Sequence, residues 1–148
     1  KLSQNIVTRN NRYSRLKTNQ HFKMAKILVV DDSITVREMV KARLELNGFE
    51  VVTACDGQQA LEKTQELSFD LIIMDIVMPV MDGYTALREL RKNELTRPIP
   101  VIMFTESQKR YMQDLFVFER ISCFIEKDAG NEELLNKVNE ALKPRDEK

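Results

Sequence analysis

Five short apolar runs punctuate the chain, at Ile27–Val30, Val51–Ala54, Leu71–Met74, Val101–Phe104 and Cys123–Ile125. The first four show no polar alternation, the pattern of strands covered on both faces of a parallel sheet. Stretches with helical period lie between them. Val36, Met39, Val40 and Leu44 make one apolar stripe, and Asn47-Gly48 stops it, because glycine suits the left-handed residue that closes a helix. Ala60, Leu61, Thr64 and Leu67 make a second stripe, and Tyr84, Leu87 and Leu90 a third. Leu134, Leu135, Val138, Ala141 and Leu142 make the last. Strands alternating with helices predict an α/β layered fold with right-handed crossovers, whose functional crevice lies at the carboxyl ends of the strands.

A further helical stretch precedes the fifth strand. Tyr111, Leu115 and Phe118 fall on one side, Met112 and Phe116 flank them, and Val117 points well away. This sector is broader than the ~100° stripe that a sheet-packed helix needs. Packing against neighbouring segments is one reading of the surplus, and a partner or homodimer surface is the other. Met39, Met74, Met78, Met81 and Met103 are read as core and loop packing.

Composition narrows the function classes. The 148 residues balance 23 basic against 23 acidic side chains, but the balance is uneven along the chain. Residues 1–23 hold six basic residues (Lys1, Arg9, Arg12, Arg15, Lys17, Lys23) and no acidic one; the other 125 carry 17 basic and 23 acidic, a net of −6. Residues 1–23 are expected to be an irregular basic extension or added upstream sequence, since Met24-Ala25-Lys26 reads like a natural start. Residues 24–143 are expected to form the folded domain, and 144–148 a polar tail. Scattered charges with Tyr13 and Phe22 are a weak signal for nucleic acid. No apolar run approaches the ~20 residues of a membrane span, and 1–23 lack a signal-peptide core. Cys55 and Cys123 are too few for a disulfide scaffold and are expected to be buried free thiols in a reducing cytosol. The only histidine is His21, so the body can run neither a Ser-His-Asp mechanism nor a phosphohistidine relay of its own.

Chemistry gathers at the strand ends. The first strand runs into Asp31-Asp32 and the third into Asp75, so the fold itself brings three carboxylates together. Like charges clustered in one crevice repel unless a cation neutralises them, and a hard divalent ion such as Mg²⁺ takes oxygen ligands. A plainer role for Asp32 or Ser33 is to cap the first helix. The fourth strand ends at Phe104-Thr105 and the fifth at Glu126-Lys127, adding a hydroxyl and an ammonium to the same rim. Carboxylates, a metal, a hydroxyl and a lysine suit phosphoryl transfer, with a carboxylate as nucleophile.

Residues 24–143 resemble the receiver domains of two-component response regulators, the chemotaxis regulators among them. The resemblance rests on Ile27-Leu28-Val29-Val30-Asp31-Asp32-Ser33, on Asp56-Gly57 at the start of the second helix, and on Met74-Asp75-Ile76-Val77-Met78-Pro79-Val80-Met81-Asp82-Gly83. Thr105 stands 30 residues past Asp75, and Lys127 another 22 on. The resemblance implies a flavodoxin-like, doubly wound, five-stranded parallel sheet of order 2-1-3-4-5 with five helices. It implies that Asp75 accepts a phosphoryl group from a phosphohistidine of a kinase or phosphotransfer protein. Asp32, Asp75 and the Val77 carbonyl would ligate Mg²⁺, with Asp31 acting through water. Thr105 and Lys127 would bind phosphoryl oxygens, and Phe124 would be the aromatic switch that follows Thr105, although a core aromatic is an equal reading. Val77 and Ser107 occupy positions that tune hydrolysis, and the fourth helix, fifth strand and fifth helix form the responding face. The implied protein is a cytoplasmic switch that catalyses only its own phosphorylation and dephosphorylation.

Three positions depart from the family pattern. Asp128 stands where proline usually follows the lysine, Glu106 where a small residue follows the threonine, and Arg120-Ile121 where Gly-Ala precedes the fifth strand. A phosphatase of the haloacid dehalogenase type would need Asp-x-Asp after the first strand, not Asp31-Asp32-Ser33. A pseudo-receiver would lack one of the five site residues. A flavin module would need a Ser/Thr/Gly-rich phosphate loop after the first strand.

Overall fold

The computed structural model describes residues 24–106 and 120–144. The described elements run β1 (Lys26–Val30), α1 (Ile34–Glu45), β2 (Glu50–Ala54), α2 (Gly57–Glu66), β3 (Leu71–Asp75), α3 (Gly83–Lys92), β4 (Val101–Thr105), β5 (Cys123–Glu126) and α4 (Asn131–Ala141). All strand pairings are parallel, and the sheet order is β2-β1-β3-β4-β5, as expected. Four helices are seen among the described residues. The helical stretch expected over 111–118 lies outside them, as do residues 1–23, Ser107 and the tail from 145.

The period of two along each strand splits the core into two layers. Leu28, Val30, Ile72, Met74, Val101, Met103 and Phe124 face α2 and α3, where they meet Ala60, Ala86, Leu87 and Leu90. Ile27, Val29, Leu71, Ile73, Ile102, Phe104 and Ile125 face the other way, against Val40, Leu44, Leu134 and Val138 of α1 and α4. Both β3 and β4 are buried over their whole length, which explains their unbroken apolar runs. Each fully buried Leu or Ile contributes roughly 1.5–3 kcal/mol relative to exposure, so the sheet is a stiff floor for whatever stands at its ends.

Helix boundaries follow local chemistry. Ser33 Oγ accepts from Val36 N at 3.3 Å, Asp56 from Gln59 N at 2.8 Å and Asp82 from Thr85 N at 2.7 Å, so α1, α2 and α3 each start on a side-chain cap. Gly48 has φ +86°, the left-handed turn anticipated after α1. The second apolar stripe ends earlier than its pattern suggests. Leu67 is an extended C-cap (φ −132°) and 38% exposed, while Thr64 Oγ1 bonds back to the Leu61 carbonyl at 2.8 Å. Among the described residues, two non-glycine positions have positive φ, Val80 at 66° and Arg120 at 52°. No described helix is long and apolar enough to cross a membrane.

Candidate functional site

Register brings the chemistry together. Val30 lies level with Met74, Asp75 with Phe104, and Thr105 with Glu126, so β1, β3, β4 and β5 end on one rim. The ladder continues one residue past β5, because Lys127 N donates to the Thr105 carbonyl at 2.9 Å. That bond sets the lysine beside the threonine and aims its side chain across the crevice.

Ligand oxygens of Asp31, Asp32 and Asp75 all lie within 4.8 Å of one another. Asp31 and Asp75 are buried and Asp32 is exposed. The capping alternative belongs to Ser33, so Asp32 is not the residue that closes the helix start. Asp31 Oδ1 accepts from Ser33 N at 2.9 Å, and the Asp31 carbonyl accepts from Arg37 Nη1 at 2.6 Å. Arg37 carried no signal in the sequence; its contact fixes the peptide that joins the two carboxylates. Lys127 Nζ sits 2.9 Å from Asp75 Oδ2 and 2.8 Å from Asp31 Oδ2. The first contact is a directed hydrogen bond. The second is a charge contact alone: Asp31 Oδ2 is buried and has no hydrogen bond of its own.

Burial pushes the Asp75 carboxyl above its ordinary value, and Lys127 offsets this only in part while Asp31 adds to it. Burial works the other way on Lys127, but the paired carboxylates of Asp31 and Asp75 outweigh it and hold the ammonium above its ordinary value. One lysine, paired with two of the three clustered carboxylates, leaves negative charge in excess. A buried carboxylate oxygen with no hydrogen-bond partner, next to two more carboxylates, is a donor set that a hard divalent cation fits.

The remaining candidates fall around this centre. Thr105 is buried at the end of β4. Phe124 is buried three residues before Lys127, packed inward with the α2–α3 layer, and its carbonyl accepts from Lys137 Nζ at 2.8 Å. Val77 is 67% exposed on the loop after β3. The Lys127–Asp128 bond is trans, since no described peptide is cis, and the lysine reaches both carboxylates without a proline behind it. Glu106 is exposed at the rim. Both cysteines are free but only half-buried, more open than expected; burial raises the Cys123 thiol above its ordinary value. Tyr111, Met112, Leu115, Phe116, Val117 and Phe118 lie outside the described residues, as does Ser107.

Two glycines hold the crevice wall. Gly57 N donates to the Met81 carbonyl at 3.0 Å, and Gly83 N to the Ile76 carbonyl at 2.8 Å. A methyl group at Gly83 would overlap the Asp75 carbonyl oxygen, so only glycine lets α3 start this close to the end of β3.

Sheet order, crevice and carboxylate–lysine cluster together define a doubly wound signalling domain with a metal-type acidic site. The family model for the response regulator receiver domain matches residues 27–139, and the chain belongs to that family. It is a receiver domain of the two-component type, a switch worked by phosphorylation. Over 123 residues it is 38% identical to a protein-glutamate methylesterase/protein-glutamine glutaminase of Methanococcoides burtonii, covering 80% of this chain and 34% of that one. The chain spans about a third of the length of the curated relatives it matches. Among solved structures it is similar to the chemotaxis response regulator CheY4 of Vibrio cholerae, with 36% identity, a TM-score of 0.76, and coverage of 81% of this chain and 100% of that one. It is also similar to the response regulator TrrA of Thermotoga maritima in complex with Mg²⁺ and BeF, with 34% identity, a TM-score of 0.73, and coverage of 80% and 100%.

Proposed function

We propose that Asp75 is the phosphoacceptor and takes its phosphoryl group from a phosphohistidine of a partner kinase or histidine phosphotransfer protein. The observation that carries this reading is the buried Asp75 carboxylate at the end of β3, hydrogen-bonded to Lys127 and within reach of Asp31 and Asp32. An Asp75 oxygen attacks phosphorus; the phosphorus–nitrogen bond breaks, and the imidazole nitrogen leaves with the electron pair while the other ring nitrogen of the protonated phosphohistidine keeps its proton. The product is an acyl phosphate on Asp75 and a neutral histidine on the partner. The Lys127 ammonium, kept protonated by its two carboxylates, neutralises charge on the transferring oxygens, and the Thr105 hydroxyl donates a hydrogen bond to them. Asp32, Asp75 and the Val77 carbonyl would hold Mg²⁺, with Asp31 acting through water. Bound there, the ion supplies positive charge to the transferring oxygens.

Phosphorylation removes one carboxylate oxygen from the Lys127 pair, and Thr105 and Phe124 then act as the switch that carries the change to the surface. Residues 24–143 form the working unit, 1–23 and 144–148 flank it, and the setting is the cytoplasm. The chain catalyses only its own phosphorylation and dephosphorylation. Incubation with acetyl phosphate or beryllofluoride plus Mg²⁺, with the parent and with Asp75→Asn, tests the assignment. Modification or a structural change in the parent and none in Asp75→Asn supports it; modification that persists in Asp75→Asn overturns it.

A further inference from the structure

The Asp31–Asp32 pair stands where the β1–β2 ladder stops. One residue past the paired stretch, Asp31 N still donates to the Ala54 carbonyl at 3.1 Å. Beyond that bond two side chains take over from the ladder. Gln59 Oε1 accepts from Cys55 N at 2.6 Å, and Arg37 Nη1 donates to the Asp31 carbonyl at 2.6 Å. Side chains on a helix lean toward its N-terminus. Arg37 lies in the first turn of α1, its own N–H bonded to the Ser33 carbonyl at 3.0 Å, so its guanidinium reaches back over the strand end.

The two neighbouring carboxylates are held unequally. Each polar atom of Asp31 faces a protein group: its N–H the Ala54 carbonyl, its own carbonyl Arg37, Oδ1 the Ser33 N–H at 2.9 Å, and Oδ2 the Lys127 Nζ at 2.8 Å. Asp32 is exposed, and among the described residues its side chain takes part in no hydrogen bond or ion pair. The aim of the Asp32 carboxylate therefore depends on the plane of the peptide that joins it to Asp31. The carbonyl of that peptide is the atom Arg37 grips. A charged donor at this distance makes a strong bond, and with Asp31 only 1% exposed the carbonyl would be costly to leave unpaired.

We propose that Arg37 is a positioning residue for the cation of the phosphoacceptor crevice, acting through the Asp31–Asp32 peptide on the aim of Asp32. The proposal rests on the reading of Asp75 and its neighbours as a Mg²⁺-assisted phosphoacceptor site. Groups that stand behind a metal ligand and orient it before the ion arrives are worth ~10–100-fold in metal affinity. Without Arg37 the buried carbonyl must turn to find another donor, and Asp32 turns with it.

Metal-free protein titrated with Mg²⁺ and followed by thermal melts tests the proposal, because an ion that binds only the folded state stabilises it in step with ln(1 + [Mg²⁺]/Kd). Arg37→Ala should raise the Mg²⁺ concentration needed for a given stabilisation by ~10-fold or more. Arg37→Lys keeps a cationic donor and should recover part of that loss; should Arg37→Ala fail to fold, Arg37→Lys carries the comparison alone, with an affinity below the parent's. Labelling by acetyl phosphate should show the same split, the half-saturating Mg²⁺ concentration rising by a larger factor than the rate at saturating Mg²⁺ falls. Gln59→Ala is the control. It removes the neighbouring bond to Cys55 N and leaves the Asp31 carbonyl alone, so it should lower the urea midpoint yet keep the parent's Mg²⁺ affinity. Parent affinity in both Arg37 variants, or the same loss in Gln59→Ala, would overturn the proposal and leave labelling of the parent at Asp75 untouched. A parent with no Mg²⁺ response would overturn the phosphoacceptor reading along with it.

Discussion

Replacing Gly83 with alanine tests the close approach of α3 to the phosphoacceptor strand. The added methyl would overlap the Asp75 carbonyl oxygen and stand 3.0 Å from the Asp75 carbonyl carbon and 3.1 Å from Ile76 Cα. Overpacking costs ~1–3 kcal/mol where side chains can yield. Every obstructing atom here is backbone, so the upper end, ~3 kcal/mol, is the expected penalty. Alanine recovers ~0.5–1 kcal/mol over glycine through helix propensity, which leaves a net loss of about 2 kcal/mol. With a urea dependence of ~1–3 kcal/mol per molar for a domain of this size, the unfolding midpoint should fall by roughly 1 M. Gly130→Ala is the control, since no atom lies within 4 Å of its added methyl. It should cost under about 1 kcal/mol, the scale of a lost N-cap preference. Because the overlap displaces Asp75 itself, labelling of Gly83→Ala by acetyl phosphate should slow even where the variant is fully folded. A midpoint within about 0.3 M of the parent, on the same urea scale, with labelling at the parent rate would refute the reasoning.

Val80 is 83% exposed at φ 66°, so Val80→Gly loses no packing and should stabilise by about 1 kcal/mol in urea unfolding; a loss of stability would contradict this. Lys127→Met leaves Asp31 Oδ2 and Asp75 without their shared cation. It should cost about 2 kcal/mol, less than the ~3–5 kcal/mol of a fully buried pair because the lysine is 16% exposed, and millimolar Mg²⁺ should narrow the gap in thermal melts. The Asp75 carboxyl is raised by burial above its unfolded value, so the stability tied to its protonated form is complete below pH ~4 and is lost as pH rises through the folded value. Asp75→Asn should therefore stabilise the metal-free domain at neutral pH, with the gain vanishing toward pH 3 in melts scanned across that range. Val77 offers no polar side chain to orient an attacking water, so the phosphoryl group should be long-lived and Val77→Asn should shorten its lifetime; release of labelled phosphate from the parent within seconds contradicts this.

Much of this architecture is readable in the amino-acid order. A strand buried on both faces must be apolar at every position, and Leu71–Met74 and Val101–Phe104 are. Once the strands are placed, a parallel fold gathers their carboxyl ends, which is why the amino-acid order alone groups Asp31, Asp32, Asp75, Thr105 and Lys127. Contacts that depend on distance rather than period were not readable. Arg37 meets a backbone carbonyl six residues back, and Arg91 reaches a carbonyl 29 residues ahead, neither of which leaves a pattern. Val80 and Arg120 adopt left-handed backbone without the glycine that normally announces it. Leu67 matched the helical stripe by spacing, but the helix ends one residue earlier and turns it outward. For Gly83 the motif was visible, whereas its cause, the absence of room beside Asp75, is a property of the packed backbone.

The lysine that bridges two carboxylates also belongs to a short mechanical line. Lys127 is three residues from Phe124, whose carbonyl is gripped by Lys137 of α4, and Lys137 lies 3.2 Å from Glu133 one turn back. A displacement of Lys127 at the crevice would have only the end of β5 to cross before meeting a helix on the outer face. Charge rearranged at Asp75 need travel only that far to be read from outside.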